Sequence, residues 1–231
     1  MIIVPNLCKL FRSVHIKPGL FMKSSLLFVW LFPLSIAHGS DFTVEKIQKA
    51  YEGIKGIKGS FLQKSHIKDL KRTEIYKGSF IIKMPSLMKW QYSGDKKQDT
   101  EVIISNDEII IFKKSENQAY RGKFDRETYG QSPIALLSGL GNIETEFDVA
   151  ANEGKLKLRP KRPMGNVDYI ELKPPETNTG FPIGALSIID KRSNRIDITI
   201  SEITINPAIK DSVFDFSLPK GASMYDYSHG R

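Results

Sequence analysis

The side chains of this sequence that could do chemistry are mostly aromatic and apolar, and they recur at every second position between residues 77 and 112. A period of two is typical of strands with one dry face and one wet face. The apolar series consists of Phe80, Ile82, Met84, Met88, Trp90 and Tyr92. Aromatic and methionine side chains on one face suit either an ordinary core or a soft pocket for lipid. This stretch therefore offers apolar binding, and both interpretations are open from the residues alone.

Residues that could carry out catalysis are scarce by comparison. No HExxH, GxSxG or zinc-ligand spacing occurs in the sequence. Ser138 lies in a Leu-Leu-Ser-Gly-Leu segment, which lacks the first glycine of a nucleophile elbow. His66 and His229 have no evident serine or cysteine partner, and the carboxylates stand singly between lysines. The sequence therefore predicts a protein that is not an enzyme and has neither a metal site nor a cofactor.

The elements that must position the apolar side chains are mostly short strands. Strand-like runs recur from residue 59 to residue 200, separated by turn signals such as Asn106-Asp107. A spacing of about ten residues favours an antiparallel sandwich or barrel over βαβ units. A helix is predicted before the first strand, where Asp41 or Thr43 can cap an apolar stripe that includes Ile47 and Tyr51. The predicted fold class is α+β, mostly antiparallel β.

One segment departs from the strand pattern and predicts a short helix. Ser132 can cap it, Pro133 suits its first position and Gly141 its exit. Its apolar side chains spread around more than one face and therefore need apolar neighbours on several sides. They are Ile134, Leu136, Leu137 and Leu140. Such a helix could be a movable lid or a permanent plug at the mouth of a barrel.

The N-terminal region has the pattern of a secretory signal peptide. Lys23 precedes an apolar run over residues 26–37, and Ala37-His38-Gly39 is a small-x-small cleavage site. We expect the start at Met22 and cleavage near Gly39 or Ser40, so that residues 1–39 are an extension plus signal peptide. Residues 40–231 are then expected to form a single domain.

The charge and cysteine content of the chain depend on this leader. Residues 1–39 contain four of the basic residues and no acidic one, so their removal lowers the formal charge from +8 to +4. Cys8, the only cysteine, is removed as well. The remaining lysines are interspersed with acidic residues, which is typical of a solvated surface and does not predict nucleic-acid binding. We expect an exported monomer, located in the periplasm of a cell with an outer membrane.

Several motifs, taken together, resemble the LolA family of periplasmic outer-membrane lipoprotein carriers. The likeness covers residues 42–222. Its motifs are Ile57-x-Gly59-x-Phe61-x-Gln63, Gly78-x-Phe80-x-Ile82-Lys83-x-Pro85-x-Leu87-x-x-Trp90-x-Tyr92, Ile104-Ser105-Asn106-Asp107, Ser132-Pro133 to Leu140, Ile205-Asn206-Pro207, Phe214-x-Phe216 and Pro219-Lys220-Gly221.

The resemblance implies an incomplete, unclosed antiparallel β-barrel, a curved sheet covered by a short helical lid. It further implies that acyl chains of lipoproteins bind between sheet and lid. The carrier would collect lipoproteins from an ABC transporter in the inner membrane and deliver them to an acceptor at the outer membrane. The alternative is a half-barrel sensor or scaffold that binds lipoproteins or a partner protein in envelope stress signalling.

The same resemblance implies which residues form the site. The expected wall of the acyl-chain cavity consists of Phe61, Phe80, Ile82, Met88, Trp90, Tyr92, Ile104 and Phe112, and the expected lid residues are Ile134, Leu136, Leu137 and Leu140. The family commonly has an arginine just before the proline of this strand, and that arginine forms hydrogen bonds with the lid. Met84 occupies this position here. Because a thioether cannot donate those bonds, other contacts are expected to hold the lid closed.

Overall fold

The computed structural model of the protein describes residues 42–94, 99–124, 137–138 and 143–227. These residues fall within one compact unit that extends over residues 38–231. The predicted signal peptide lies outside the described residues.

The described helices are short. Helix α1, Val44–Glu52, begins after Thr43, whose side-chain oxygen accepts a 3.3 Å hydrogen bond from the Lys46 amide. This is the predicted capped helix, and it buries Ile47 and Tyr51. Helix α2 is Ile143–Glu146, and a 3-10 turn covers Asp211–Phe214. Within the described part of the chain, no helix is both long enough and apolar enough to cross a membrane.

The rest of the described chain is dominated by one sheet of twelve strands. Their order across the sheet is β12-β6-β5-β4-β3-β2-β1-β11-β10-β9-β8-β7. The strands are β1 Gly56–Ile67, β2 Arg72–Lys83, β3 Leu87–Ser93, β4 Thr100–Ser105, β5 Glu108–Lys113, β6 Gln118–Lys123, β7 Phe147–Asn152, β8 Lys155–Pro160, β9 Val167–Lys173, β10 Ala185–Asp190, β11 Arg195–Ile205 and β12 Ser223–Asp226.

The sheet is antiparallel except at one edge, where β12 runs parallel to β6. Strands β7 and β12 form its two edges and do not pair with each other, so the sheet is curved but unclosed. The predicted mostly antiparallel, unclosed sheet is therefore confirmed. Of the segment predicted as a lid helix, the structure describes only Leu137 and Ser138, which are helical. Ile134, Leu136 and Leu140 lie outside the described residues.

Strand β1 is the centre of the sheet. Its Phe61 stands opposite Gly78 of β2 on one side and Ile200 of β11 on the other. We call the face that carries Phe61, Phe80 and Trp90 the inner face. The buried side chains of this face pack with α1, Leu137, Ile143, Phe181 and Ile183 in one hydrophobic cluster. These covering residues come from four separate parts of the chain, so the core depends on contacts that are distant in sequence.

Asn206 ties the end of β11 to the turn between α1 and β1. Its Oδ1 accepts hydrogen bonds from the amides of Lys55 at 2.7 Å and Gly56 at 3.3 Å, and its Nδ2 donates to the Gly53 carbonyl at 2.9 Å. Its φ of 51° is in the left-handed region, which asparagine tolerates better than most residues. The Ile205-Asn206-Pro207 motif therefore has a structural role, which is to fix α1 beside the central strand.

Candidate functional site

The inner face of β1, β2 and β3 carries a continuous group of stacked aromatic rings. The ring of Trp90 stacks on Phe61 with centroids 4.1 Å apart and on Phe80 with centroids 5.3 Å apart. Tyr92 meets Phe61 edge to face at 5.4 Å. Phe61, Phe80 and Trp90 are each at most 3% exposed. Three neighbouring strands thus hold one rigid apolar wall that contributes much of the buried surface.

Two glycines make room for these rings. Gly78 lies opposite Phe61 in the sheet, and a Cβ there would lie 2.8 Å from the Phe61 ring and would overlap the Gln91 carbonyl oxygen. At Gly59 a Cβ would lie 2.9 Å from the ring of Phe80. Glycine inside a strand often marks such a close approach by a neighbouring side chain.

Seven of the eight predicted wall residues lie together on this face. Ile82 and Ile104 are fully buried and Met88 is nearly so, and all three belong to the same cluster as the aromatic rings. Tyr92 is only partly buried and packs against the edge of that cluster. The structure therefore brings together these seven side chains from β1 to β4.

Phe112 is the exception, because it lies on the opposite face of the sheet. It stands opposite Glu101 of β4, whereas the neighbouring pair Val102 and Ile111 faces the inner cluster. Its ring packs on Phe216 with centroids 5.6 Å apart. It belongs to the apolar surface that the C-terminal segment covers, and it does not reach the aromatic wall.

A buried hydrogen bond connects the elements that cover the wall. The hydroxyl of Tyr51 on α1 donates to the backbone carbonyl of Leu137 at 2.9 Å. Leu137 is fully buried, and burial raises the pKa of the Tyr51 hydroxyl well above its usual range. The hydroxyl therefore stays protonated and remains a donor throughout the physiological range. The sequence marked Tyr51 as an apolar residue of the helix, and nothing in its spacing indicated this bond.

Comparison with known proteins identifies the family. A model of the outer membrane lipoprotein carrier protein LolA matches residues 52–217. The chain belongs to the LolA family. It is 28% identical over 205 residues to an outer-membrane lipoprotein carrier protein of Cupriavidus pinatubonensis, covering 83% of this chain and 89% of that one. It is 25% identical over 207 residues to the carrier of Neisseria meningitidis, covering 83% and 90%.

One solved structure shows the same fold. It is an uncharacterized conserved protein from Thermus thermophilus, with a TM-score of 0.50 and 10% identity over 79% of this chain and 96% of that one. The LolA family is a family of carriers that bind and transport, and not a family of enzymes. The described residues hold no group of three or more His, Cys, Asp or Glu side chains placed to bind a metal.

Met84, the position at which the resemblance implies a latch arginine, lies at the end of β2. Met84 directly follows β2, where its backbone amide donates to the Lys55 carbonyl at 2.9 Å. Its side chain is partly buried against the core. With Pro85, Asp211 and Phe214 it lines a cavity of about 350 Å³. The bond from Tyr51 to Leu137 connects α1 with a residue of the segment predicted as a lid.

The outer face of the sheet holds a polar cluster that superficially resembles a catalytic triad. Asp197 accepts hydrogen bonds from Ser187 and Arg195 and lies 3.3 Å from the His66 Nε2 atom. Burial alone would raise the pKa of Asp197, but these hydrogen bonds and the charges of Arg195 and His66 outweigh it and lower that pKa below its usual value. Because the Ser187 hydroxyl donates to the carboxylate and not to the imidazole, the arrangement does not activate a nucleophile.

Proposed function

We propose that this LolA-family protein is a periplasmic carrier that binds the acyl chains of lipoproteins between the inner face of its sheet and the elements that cover it. It would collect lipoproteins from an ABC transporter of the inner membrane and release them at an acceptor of the outer membrane. The observation that supports this most strongly is the aromatic wall formed by Phe61, Phe80 and Trp90 on three adjacent strands. Each ring offers broad apolar contact without a charge.

Free energy explains why such cargo needs a carrier. Burial of acyl chain is worth about 0.8 kcal/mol per methylene group, so a long chain left in water costs on the order of 10 kcal/mol. A protein that crosses an aqueous compartment with several such chains must therefore shield them. The carrier must also release them, which favours extended apolar contact over a few strong polar bonds.

Binding requires the covering elements to move. The rings of the wall are almost completely buried by α1, Leu137, Ile143, Phe181 and Ile183, so a ligand that touches them must displace part of this cover. The apolar contacts that the cover loses are of the same kind as those that the acyl chains supply. Because contacts with the cover are replaced by contacts with the acyl chains, the net affinity for the lipoprotein stays moderate and release is possible.

Photo-crosslinking tests the proposal at the level of the site. We would load the purified protein with a triacylated lipopeptide that carries a diazirine in one acyl chain, and identify the labelled residues by mass spectrometry. Labelling of Phe61, Trp90 and their inner-face neighbours, with none at Phe112 and Phe216, would support the site. Labelling only at the outer-face pair, or no labelling at all, would rule it out.

Depletion of the protein tests the transport function in cells, and it should leave lipoproteins in the inner membrane.

Export by a cleaved signal peptide is the second part of this proposal. The family consists of periplasmic carriers, and residues 1–39 have the composition of a leader. The intact mass of the protein isolated from the periplasm should correspond to a chain that begins near Ser40. A mass that includes residues 1–39 would contradict cleavage.

A further inference from the structure

The inner face changes from apolar to polar along the length of β1 and β2. On β1 the inward residues Ile57 and Phe61 are followed by Gln63 and Ser65. On β2, the inward residues that pair with this part of β1 run from Phe80 to Tyr76 and Glu74. Polar inward residues thus begin where the aromatic wall ends.

The polar end starts with a buried glutamine that is held in place by its neighbours. Gln63 is 7% exposed; its Oε1 accepts a 3.2 Å hydrogen bond from the Tyr92 hydroxyl and its Nε2 donates to Ser65 at 3.0 Å. Burial raises the pKa of the Tyr92 hydroxyl to about 12, and the neighbouring Trp90 indole offsets part of that rise. The hydroxyl therefore stays neutral at physiological pH, and the network carries no charge.

This network has spare donors next to the aromatic wall. The Trp90 Nε1 atom is buried near the Tyr92 hydroxyl and lowers the pKa of that group, but the two atoms do not meet with hydrogen-bond geometry, and neither does any other acceptor among the described residues. The amide nitrogen of Gln63 carries two hydrogens and uses one on Ser65. Buried donors without partners cost free energy, so native proteins rarely keep them without a function. An acceptor supplied by a ligand would satisfy both groups.

The charged residues at the polar end of the inner face indicate which class of ligand it could bind. Tyr76 donates its hydroxyl to Glu74, and Glu74 forms an ion pair with Arg72. Because these two charges neutralise each other, Arg72 is not free to bind a phosphate or carboxylate of a ligand. Neutral donors that lie next to an apolar wall suit neutral carbonyl oxygens.

We propose that Gln63, Trp90 and Tyr92 form a subsite for the ester and amide carbonyls at the head of an acylated cysteine. The acyl chains then lie along the wall towards Ile57, and the polypeptide of the cargo leaves past Tyr76 and Glu74. This assignment rests on the proposed carrier function and adds the orientation of the cargo. It also assigns to Gln63 a role that apolar packing does not explain.

The test compares two ligands that differ only in their carbonyl groups. One is a triacylated S-glyceryl-cysteine peptide, and the other is its analogue with ether links in place of the two esters. The protein without residues 1–39 has Trp90 as its sole tryptophan, so its emission reports binding directly at the subsite. A neutral hydrogen bond changes affinity roughly two- to tenfold, and we therefore expect the ester ligand to bind about tenfold more tightly than the ether.

Gln63→Met should reduce this preference strongly, because methionine has a similar length and no amide, so that Trp90 is the only donor left. Affinity for the ether ligand should fall less than affinity for the ester ligand, since the ether ligand keeps only its amide carbonyl at the subsite. The matched control is Gln91→Met, the same substitution on β3 among the outward-facing residues, which should keep the full preference. If Gln63→Met does not fold, Tyr92→Phe removes the hydroxyl that orients Gln63 and should reduce the preference.

The other possible results distinguish a failure of the subsite from a failure of the carrier function. A wild type that does not distinguish the ligands, or a Gln63→Met variant that keeps the preference, overturns the subsite but leaves the carrier function intact. A wild type that binds neither ligand overturns both. Dipalmitoyl phosphatidylglycerol shares the esters but has an anionic head and no amide, and we expect it to bind more weakly. Equal affinity would overturn the assignment to acylated cysteine.

Discussion

At the scale of single residues, the aromatic wall depends on Gly78, a position without a side chain. The Phe61 ring occupies the space over Gly78, where any side chain would meet that ring and the Gln91 carbonyl. The close stacking of Phe61 on Trp90 is possible only because β2 contributes no Cβ at this point. A residue without a side chain thus shapes the candidate site as directly as the rings do.

Gly78→Ala should therefore destabilise the protein. The new methyl group must displace either a buried ring or a backbone carbonyl, and overpacking of this kind costs about 1–3 kcal/mol. Urea unfolding monitored by circular dichroism would measure the change. Gly53→Ala is the control, because the nearest atom to its Cβ is 3.8 Å away and its φ of −88° suits alanine. Equal stability of the two variants would show that the rings are not closely packed over Gly78.

The bond from Tyr51 to Leu137 gives a second residue-scale prediction. Tyr51→Phe keeps the ring in the core but leaves the Leu137 carbonyl without its buried donor, which should cost about 1–3 kcal/mol of stability. Release of a bound lipopeptide should also become faster, because the cover of the wall is held less firmly. Tyr225→Phe, at an exposed ring on β12, should change neither quantity. Unchanged release in Tyr51→Phe would mean that this bond does not hold the cover in place.

Sequence patterns located most of the wall because its strands have one wet face. On β1 to β3 the alternation of polar and apolar residues assigns most side chains to a face, whereas Val102-Ile103-Ile104 on β4 is apolar at both parities. The segment of β5 before Phe112 is Ile109-Ile110-Ile111, so apolar residues occur at both parities and the pattern cannot select a face. The face of Phe112 is decided by its contact with Phe216, a residue about a hundred positions away in the sequence.

At the scale of elements, pairing between strands that are neighbours in the sequence was predictable, and pairing between distant strands was not. Hairpins such as β4–β5 can be predicted from a turn sequence, here Asn106-Asp107, and from the apolar residues in the strands on either side of it. Strand β12 pairs in parallel with β6 about a hundred residues away, and no local signal indicates such a partner.

The edge strand β12 gives an element-scale prediction. Its Tyr225 stacks on Tyr120 of β6 at 5.5 Å, and Tyr227 lies 6.5 Å from the same ring. A chain that ends at residue 222 loses both contacts and the parallel pairing. Each aromatic contact is worth about 0.5–1.5 kcal/mol, so the loss of stability should be about 1–3 kcal/mol. Thermal unfolding would measure it.

Lipid binding should survive this truncation. Strand β12 is separated from β3 by β4, β5 and β6 in the sheet, and the aromatic wall lies on β1 to β3. The affinity of the shortened protein for a triacylated lipopeptide should therefore stay within about twofold of the full chain, because no wall contact is removed. A large loss of affinity would mean that the edge of the sheet belongs to the site.

At the scale of the whole molecule, the two buried tyrosines link the stability of the fold to alkaline pH. Burial raises the pKa of Tyr92 to about 12 and that of Tyr51 further, whereas both groups ionise near pH 10 in the unfolded chain. The native state therefore keeps protons that the unfolded state gives up. Their contribution to stability is complete below pH 10 and is lost as the pH rises above it.

Each tyrosine should lower the free energy of unfolding by about 1.4 kcal/mol per pH unit above pH 10, and the share of Tyr92 should level off above about pH 12. Urea midpoints between pH 8 and pH 12 would measure this slope. Lysines also lose their charge in this range, so the informative quantity is the difference between the wild type and Tyr51→Phe. That difference isolates one buried hydroxyl, and it should shrink steadily as the pH rises from 10 to 12. A constant difference would mean that Tyr51 reaches water in the native protein, and the covering elements would then be open in solution.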